Sequence, residues 1–113
     1  MHELSIAESL LAIVQDEIAR HCLEKVLSVK IKVGKLTAIQ PEALSFCFEL
    51  ITEDTPLKGV TLDIEVLAIK GYCEECKEDF ELEDPVMLCP KCQGWNVRIE
   101  GGRELYIESI EVE

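Results

Sequence analysis

Residues 72–98 read YCEECKEDFELEDPVMLCPKCQGWNVR, and the organisation of the whole chain follows from this segment. It contains two Cys-x-x-Cys motifs, CEEC at 73–76 and CPKC at 89–92, separated by twelve residues. Each motif offers two thiolates on a tight turn, and two such turns complete a tetrahedron around Zn²⁺. The spacing therefore predicts a structural zinc site with Cys73, Cys76, Cys89 and Cys92 as its ligands.

Three other roles for these cysteines fit the sequence less well. A thioredoxin-like redox pair needs its motif at a helix start after a strand, whereas here two motifs lie in a loop-rich stretch. Catalytic zinc is disfavoured because four thiolates close the coordination sphere and leave no water to activate. Disulfides require an oxidising compartment, but the chain opens Met-His-Glu and its early apolar run, residues 10–14, is too short for a secretory signal. We expect a cytoplasmic protein with reduced thiols.

The composition of the chain narrows the classes of partner. Its 113 residues carry 23 acidic and 11 basic side chains, a formal net charge of -12. Such a charge repels nucleic-acid phosphates and anionic lipids, so we expect neither a nucleic acid nor a membrane as partner. Residues 73–84 alone hold seven acids and one base. This acidic run is either a solvated face or a docking surface for a basic partner.

The rest of the chain shows the periodicities of two helices and three strands. Apolar residues at steps of three and four predict a helix over about residues 4–21, and Gln40-Pro41-Glu42 predicts the start of a second helix that stops before Pro56. Alternating apolar and charged residues predict strands over 29–33 and 60–66, the first closed by Gly34. Residues 105–112 predict a third strand whose apolar parity flips, as at a bulge or a segment covered on both faces.

These elements predict an α+β fold in which two helices pack on a three-stranded mixed sheet, with an inserted four-cysteine zinc-ribbon subdomain. We expect residues 1–70 and 101–113 to form one α/β domain and residues 71–100 to form the zinc-binding domain. The insert is too small to bury a core of its own, so the metal must contribute most of its folding free energy. Lysines of the first strand are expected to pair with acids of the other two. Cys22 and Cys47, on the helices, are expected in the core.

The N-terminus offers a second metal site. The amine of Met1, the amide nitrogen and imidazole of His2 and the amide of Glu3 together close a square-planar set of four nitrogens, a geometry that suits Ni²⁺ or Cu²⁺. The first N–H groups of a helix have no intrahelical carbonyl, so a metal takes these amide nitrogens without breaking the helix. The simpler alternative is a surface histidine at a frayed terminus.

Taken together, these features resemble the HypA (HypA/HybF) family of nickel metallochaperones in [NiFe]-hydrogenase maturation. The resemblance rests on the opening Met1-His2-Glu3-Leu4-Ser5, the strand over 29–34, the helix entry Pro41-Glu42-Ala43-Leu44 and the double Cys-x-x-Cys insert. It implies an α/β domain that binds nickel through His2, the N-terminal amine and nearby backbone, beside a structural zinc domain. It also implies a HypB-type GTPase as partner and delivery of Ni²⁺ to the hydrogenase large-subunit precursor, and in some bacteria a role in urease maturation.

Two departures from the family pattern matter for chemistry. Some members carry an acidic side chain where this chain has Gln40, and some carry histidines beside the cysteine pairs, which this chain lacks. We therefore expect a static, all-thiolate zinc. The competing class is a zinc-ribbon interaction scaffold without a transported metal. An enzymatic role is not expected, because a closed four-thiolate site offers a hydrolase nothing to act with.

Overall fold

The computed structural model of the protein describes residues 2–82 and 88–113, with the backbone alone at residue 2. Two helices and six strands follow one another along the chain. They are α1 (His2–His21), β1 (Val26–Gly34), α2 (Pro41–Thr52), β2 (Thr61–Leu67), β3 (Ile69–Cys73), β4 (Glu78–Leu82), β5 (Val97–Gly101) and β6 (Leu105–Val112). The strands form two three-stranded sheets, so the predicted α+β class is confirmed.

The first sheet has the strand order β2-β1-β6 and carries the larger apolar core. Its central strand alternates as predicted, with Val29, Ile31 and Val33 buried between half-buried lysines. Hydrogen bonds at both ends show that β1 and β6 run antiparallel, because the Glu113 N–H donates to Lys25 O at 3.0 Å and the Gly34 N–H donates to Glu104 O at 2.8 Å. α1 and α2 pack against each other and bury side chains that share the apolar stripe of each helix: Ala7, Leu10, Val14, Leu44 and Phe48.

The predicted pairing of charges across this sheet is confirmed. Lys32 Nζ lies 2.6 Å from Glu65 Oε1 and 3.2 Å from Glu108 Oε2, and Lys30 Nζ lies 3.7 Å from the same two side chains. Lysines of the central strand are thus shared between acids of the two outer strands. Each exposed pair contributes little to stability, so this face is a solvated one and not a site.

The second sheet, of order β4-β3-β5, was not predicted, because this segment was expected to be rich in loops. β3 pairs antiparallel with both neighbours, with Ile69 opposite Leu82 and Cys73 opposite Glu78 on one side. The sheet packs closely at Gly71, where a Cβ would come within 2.7 Å of the Phe80 ring. Each of these strands has five residues, which is too short to show a clear apolar period.

Contacts divide the chain into two compact units. One comprises residues 1–32, 39–65 and 106–113, and the other comprises residues 33–38 and 66–105. The domain boundaries predicted from the sequence, 1–70 with 101–113 and 71–100, stay a prediction. Within the part of the chain that the structure describes, no helix is both long and apolar enough to cross a membrane.

The end of α1 corrects one expectation. Cys22 is exposed and adopts a left-handed φ of 51°, just beyond the last residue of the helix. The chain reverses there, with the Leu23 N–H donating to Ile18 O at 3.1 Å, and this turn carries the Cys22 side chain out to solvent. Cys47 is half-buried, which is closer to the prediction of a core residue.

Candidate metal centre

The four predicted zinc ligands converge in the second unit. Cys73 ends β3, Cys76 lies in the turn before β4, and Cys89 and Cys92 lie in the turn before β5. Their Sγ atoms all lie within 4.8 Å of one another, with Cys73 to Cys92 at 3.7 Å and Cys76 to Cys89 at 3.8 Å. Four sulfurs about 2.3 Å from a central Zn²⁺ form a tetrahedron with edges of about 3.8 Å. The cluster therefore fits a tetrahedral metal ion of this size.

The two turns that carry the cysteines share one backbone geometry. In the first, the Lys77 N–H donates to Cys73 O at 2.7 Å, and in the second, the Gln93 N–H donates to Cys89 O at 2.8 Å. Lys77 and Gln93 both have a φ of 57°, so each turn is closed by a left-handed residue directly after its second cysteine. The matching offsets bring both pairs of sulfurs to the same centre in the same way.

Gly94 lies beside the second turn but does not close it. A glycine after a Cys-x-x-Cys motif is the residue expected to take a positive φ, but here Gln93 takes it. A Cβ at Gly94 would lie 3.2 Å from Cys92 Sγ, and the Gly94 N–H instead donates to that sulfur. A glycine is needed here because the backbone approaches a ligand closely. Both left-handed residues directly follow the second cysteine of a Cys-x-x-Cys motif. This shared offset was the signal available in the sequence.

Backbone N–H groups donate hydrogen bonds to the cysteine sulfurs. The Cys76 N–H donates to Cys73 Sγ at 3.3 Å, and the Lys91 N–H donates to Cys89 Sγ at 3.4 Å. Such bonds favour thiolate over thiol, since the charged sulfur is the better acceptor. The turns are thus built to present anionic sulfur to a cation.

The sulfurs differ in how readily they lose a proton. N–H groups of Cys92 and Lys91 lower the pKa of Cys89 from 9.0 to about 7. In contrast, hydrogen bonds to the sulfurs of Cys92 and Cys89, together with desolvation, raise the pKa of Cys76 from 9.0 to about 12. The cluster without metal therefore shares protons among its sulfurs, and a divalent cation that binds there must displace them.

Charge around the cluster is partly balanced within the second unit. Lys91 pairs with Glu78, and Arg98 pairs with Glu74 and, at 3.0 Å, with Glu100. Arg98 also stacks over the Tyr72 ring, 4.7 Å from its centroid. Of the seven acids in residues 73–84, Glu74 and Glu78 thus have basic partners, while the last two, residues 83 and 84, lie outside the described residues.

The predicted nickel ligands lie at the start of α1. Met1 is outside the described residues. His2 is the first residue of α1, and the structure describes only its backbone. The Glu3 carboxylate accepts a hydrogen bond from the Gln40 N–H at 3.1 Å. This contact brings Gln40, the residue before α2, to the first turn of α1, which carries the predicted ligands.

Comparisons with known proteins agree with this arrangement. The sequence model of one family, described as hydrogenase/urease nickel incorporation, metallochaperone, HypA, matches residues 1–112. A hydrogenase maturation factor HypA from Solidesulfovibrio magneticus is 44% identical over 117 residues, covering 100% of both chains, and one from Desulfitobacterium hafniense is 39% identical, covering 100% of this chain and 99% of that one.

Solved structures are similar over the same length. The solution structure of the Ni metallochaperone HypA from Helicobacter pylori has a TM-score of 0.68 at 27% identity, covering 99% of this chain and 97% of that one. A second structure, titled solution structure of HypA protein, has a TM-score of 0.72 at 27% identity, covering 100% and 97%.

Proposed function

This chain belongs to the HypA family of nickel incorporation metallochaperones in hydrogenase and urease maturation, and from that premise we propose that it binds Ni²⁺ at its N-terminus and delivers it to the [NiFe]-hydrogenase large-subunit precursor. The single observation that carries the proposal is the family match over residues 1–112, which includes the Met-His-Glu opening. We propose that the protein acts in the cytoplasm, without catalysis of its own, beside a HypB-type GTPase.

The proposed nickel ligands are the Met1 amine, the amide and imidazole nitrogens of His2, and the Glu3 amide. α1 begins at residue 2, so these amides belong to the helix end where N–H groups lack intrahelical acceptors. Two deprotonated amides cancel the charge of a divalent ion, which removes its repulsion from the positive end of the helix dipole. An exposed site of nitrogen ligands suits a carrier that must also release its metal.

The contact between Glu3 and Gln40 supports this site from outside the ligand set. The Gln40 N–H donates to the Glu3 carboxylate, which fixes the first turn of α1 against the entry of α2. Glu3 then contributes through its backbone nitrogen while its side chain is held by another element. Gln40 has no carboxylate, so we propose a nickel shell completed within residues 1–3.

For the cysteine cluster we propose structural Zn²⁺, held by Cys73, Cys76, Cys89 and Cys92. The support is the tetrahedral spacing of the sulfurs, with edges of 3.7 and 3.8 Å, and the all-thiolate donor set that zinc prefers. Four thiolates leave no open position for substrate or water. The zinc turns are then a rigid module for recognising a partner, such as the hydrogenase precursor or urease maturation proteins.

Metal content of three proteins tests the nickel proposal. The parent, a form extended by a few residues before Met1, and His2→Ala are each loaded with both metals, and nickel and zinc are measured by mass spectrometry after gel filtration. We expect nickel with the parent alone and one zinc with all three. If the extended form and His2→Ala hold nickel as the parent does, the N-terminal chelate is wrong. If the parent itself holds no nickel, the scaffold without a transported metal is the better account.

A further inference from the structure

β6 is an edge strand whose apolar side chains are exposed or half-buried. In the order β2-β1-β6 it pairs with β1 on one side, and its other edge is the margin of the sheet among the described residues. Every residue of β6 is exposed or half-buried, in contrast to β1, where five of nine are buried. Tyr106 is 48% exposed and Val112 is 41% exposed. A strand of this kind is a template for pairing with another extended segment.

A groove runs beside this strand within the first unit. Its volume is about 410 Å³, and its apolar lining comes from α1, the turn that follows it, and β6: Ile13, Leu23, Ile107 and Ile110. Ile13 is 49% exposed although it lies on a helix that packs in the core of the unit. The groove therefore offers sites for the side chains that an added strand would point toward α1.

The opposite edge of the sheet differs from β6 in this respect. β2 presents one large apolar side chain among its exposed residues, Val66, and the groove at its start is crossed by the ion pair of Lys58 and Glu53, 3.2 Å apart. An added strand there would bury both members of this ion pair, whereas the charged residues that line the groove beside β6, Glu17 and Glu108, are both acidic. β6 is the edge that favours an added strand.

Charge determines what kind of segment fits. Residues 106–113 contain three acids, Glu108, Glu111 and Glu113, and no base. Glu108 is paired with Lys30 and Lys32. Glu111 accepts a hydrogen bond from Ser28 at 3.1 Å. Among the described residues, neither Glu111 nor Glu113 has a basic partner within 4 Å. Cationic side chains of an added strand would find their counter-charges there.

We propose that the outer edge of β6 docks an extended, basic segment of a partner protein as a fourth strand, with apolar side chains entering the groove beside α1. Main-chain hydrogen bonds to β6 hold the segment, Ile13, Ile107 and Ile110 receive its apolar side chains, and Glu111 and Glu113 select lysine or arginine at the alternate positions. The surface is independent of the nickel ligands.

A second copy of this chain is the occupant that charge disfavours. Antiparallel pairing of β6 with β6 places the acids of one copy against those of the other, and like charges on facing strands are destabilising. The net charge of -12 adds repulsion between two whole chains. The basic partner removes both costs.

Fluorescence anisotropy with a defined probe tests the proposal. The probe is a labelled eight-residue peptide of alternating lysine and valine, added to the full chain loaded with zinc. We expect Glu111→Lys with Glu113→Lys to weaken binding about tenfold or more, since two opposite charges become like charges. Glu49→Lys with Asp63→Lys makes the same change of net charge on other elements and is expected to change the affinity less than twofold. Amide chemical shifts of residues 106–113 should move on binding.

Two further arms separate strand pairing from general electrostatic attraction and from self-association. A peptide of the same sequence with every backbone amide N-methylated keeps its charge but cannot pair, and we expect its binding to fall about tenfold or more. Equal binding of the methylated peptide, or equal loss with the control variant, overturns the proposal in favour of general attraction to an acidic protein. Sedimentation of the parent and Val112→Lys gives the last arm: a parent dimer that this variant dissociates overturns it in favour of a second copy.

Discussion

The two units of this protein differ in how much apolar surface they bury. The first unit, residues 1–32, 39–65 and 106–113, buries a continuous set of aliphatic side chains and Phe48 between two helices and a sheet. In residues 66–105 of the second unit, the buried apolar side chains among those described are Ile69, Cys73 and Cys89, and two of these three are cysteines of the cluster. The first unit therefore depends on the burial of apolar surface, whereas for the second we expect stability to depend on the zinc that we propose for its cysteine cluster.

Loss of the metal is expected to have the largest effect and to be confined to the second unit. Structural zinc contributes an apparent binding free energy of about 10–16 kcal/mol in small domains, more than the few buried residues here supply. On addition of a strong chelator, we expect amide signals of residues 66–105 to lose dispersion while those of the first unit keep theirs. Two-dimensional amide spectra of the full chain report both units in one experiment.

A pair of cysteine variants makes the same comparison without a chelator. Cys73→Ser removes a buried ligand, whereas Cys47→Ser changes a half-buried thiol on α2 outside the cluster. We expect the zinc content to fall with the first variant and to stay at one ion per chain with the second. Unfolding of both units on zinc loss would show that the apolar core is not sufficient to keep the first unit folded.

The core of the first unit is expected to show the next largest effect. Phe48 is 1% exposed and Phe46, on the same helix, is 60% exposed. Phe48→Ala is expected to lower the free energy of unfolding by about 3–5 kcal/mol, because it removes a fully buried ring and leaves a cavity. Phe46→Ala is the matched control and should change stability by less than about 0.5 kcal/mol.

Helical circular dichroism is the measurement for this pair, since both helices belong to the first unit. Zinc should stay with both variants under native conditions. Equal losses of unfolding free energy in Phe46→Ala and Phe48→Ala would contradict the assignment of the core. Zinc release from Phe48→Ala before its helices melt would contradict the expectation that the second unit is stabilised independently of the first.

The charged face of the first sheet is expected to show the smallest effect, and the size of this effect depends on pH. The hydrogen bond from Lys32 lowers the pKa of Glu65 below its ordinary 4.5, so the pair stabilises the folded state above that pH and loses its effect as pH falls through the lowered value. Glu65 raises the pKa of Lys32 above 10.5, so the contribution is also lost in strong alkali.

Glu65→Gln tests this by thermal unfolding at a series of pH values. We expect a decrease in Tm of roughly 2 °C near neutral pH, since exposed pairs contribute little, and no difference from the parent at acid pH, where both side chains are neutral. A difference that grows as pH falls would reverse the sign and contradict the pairing.

The contrast between the units also explains which parts of the fold could be predicted from sequence. α1, β1, α2 and β2 were predicted because each repeats its apolar residues at the matching period, and β6 was predicted from its apolar content although its parity flips. β4 was missed because Glu78–Leu82 reads EDFEL, with acids around one aromatic residue, and its pairing with β3 is set by the turn that the cysteines close. Periodicity detects elements long enough to repeat a buried face, and the five-residue strands of the second sheet are too short for that.

The ligands of the cysteine cluster could be predicted from sequence, but the backbone conformation around them could not. The four cysteines were identified because the chemistry of zinc fixes both residue type and spacing, and the structure brings them together. Backbone conformation was harder: the left-handed residue of the second turn is Gln93 and not the neighbouring glycine, and Cys22 is carried to the surface by a helix end. Both depend on φ at single residues, which side-chain chemistry fixes weakly outside glycine and proline. The ligand set at residues 1–3 stays a prediction.

X-ray absorption at the nickel and zinc edges of the doubly loaded protein tests the central claim, that the two regions hold different metals in different ligand sets. The account predicts nickel with four nitrogen neighbours, including the imidazole of His2, and no sulfur, and zinc with four sulfurs at about 2.3 Å. Sulfur in the nickel shell, or fewer than four sulfurs around zinc, would contradict it.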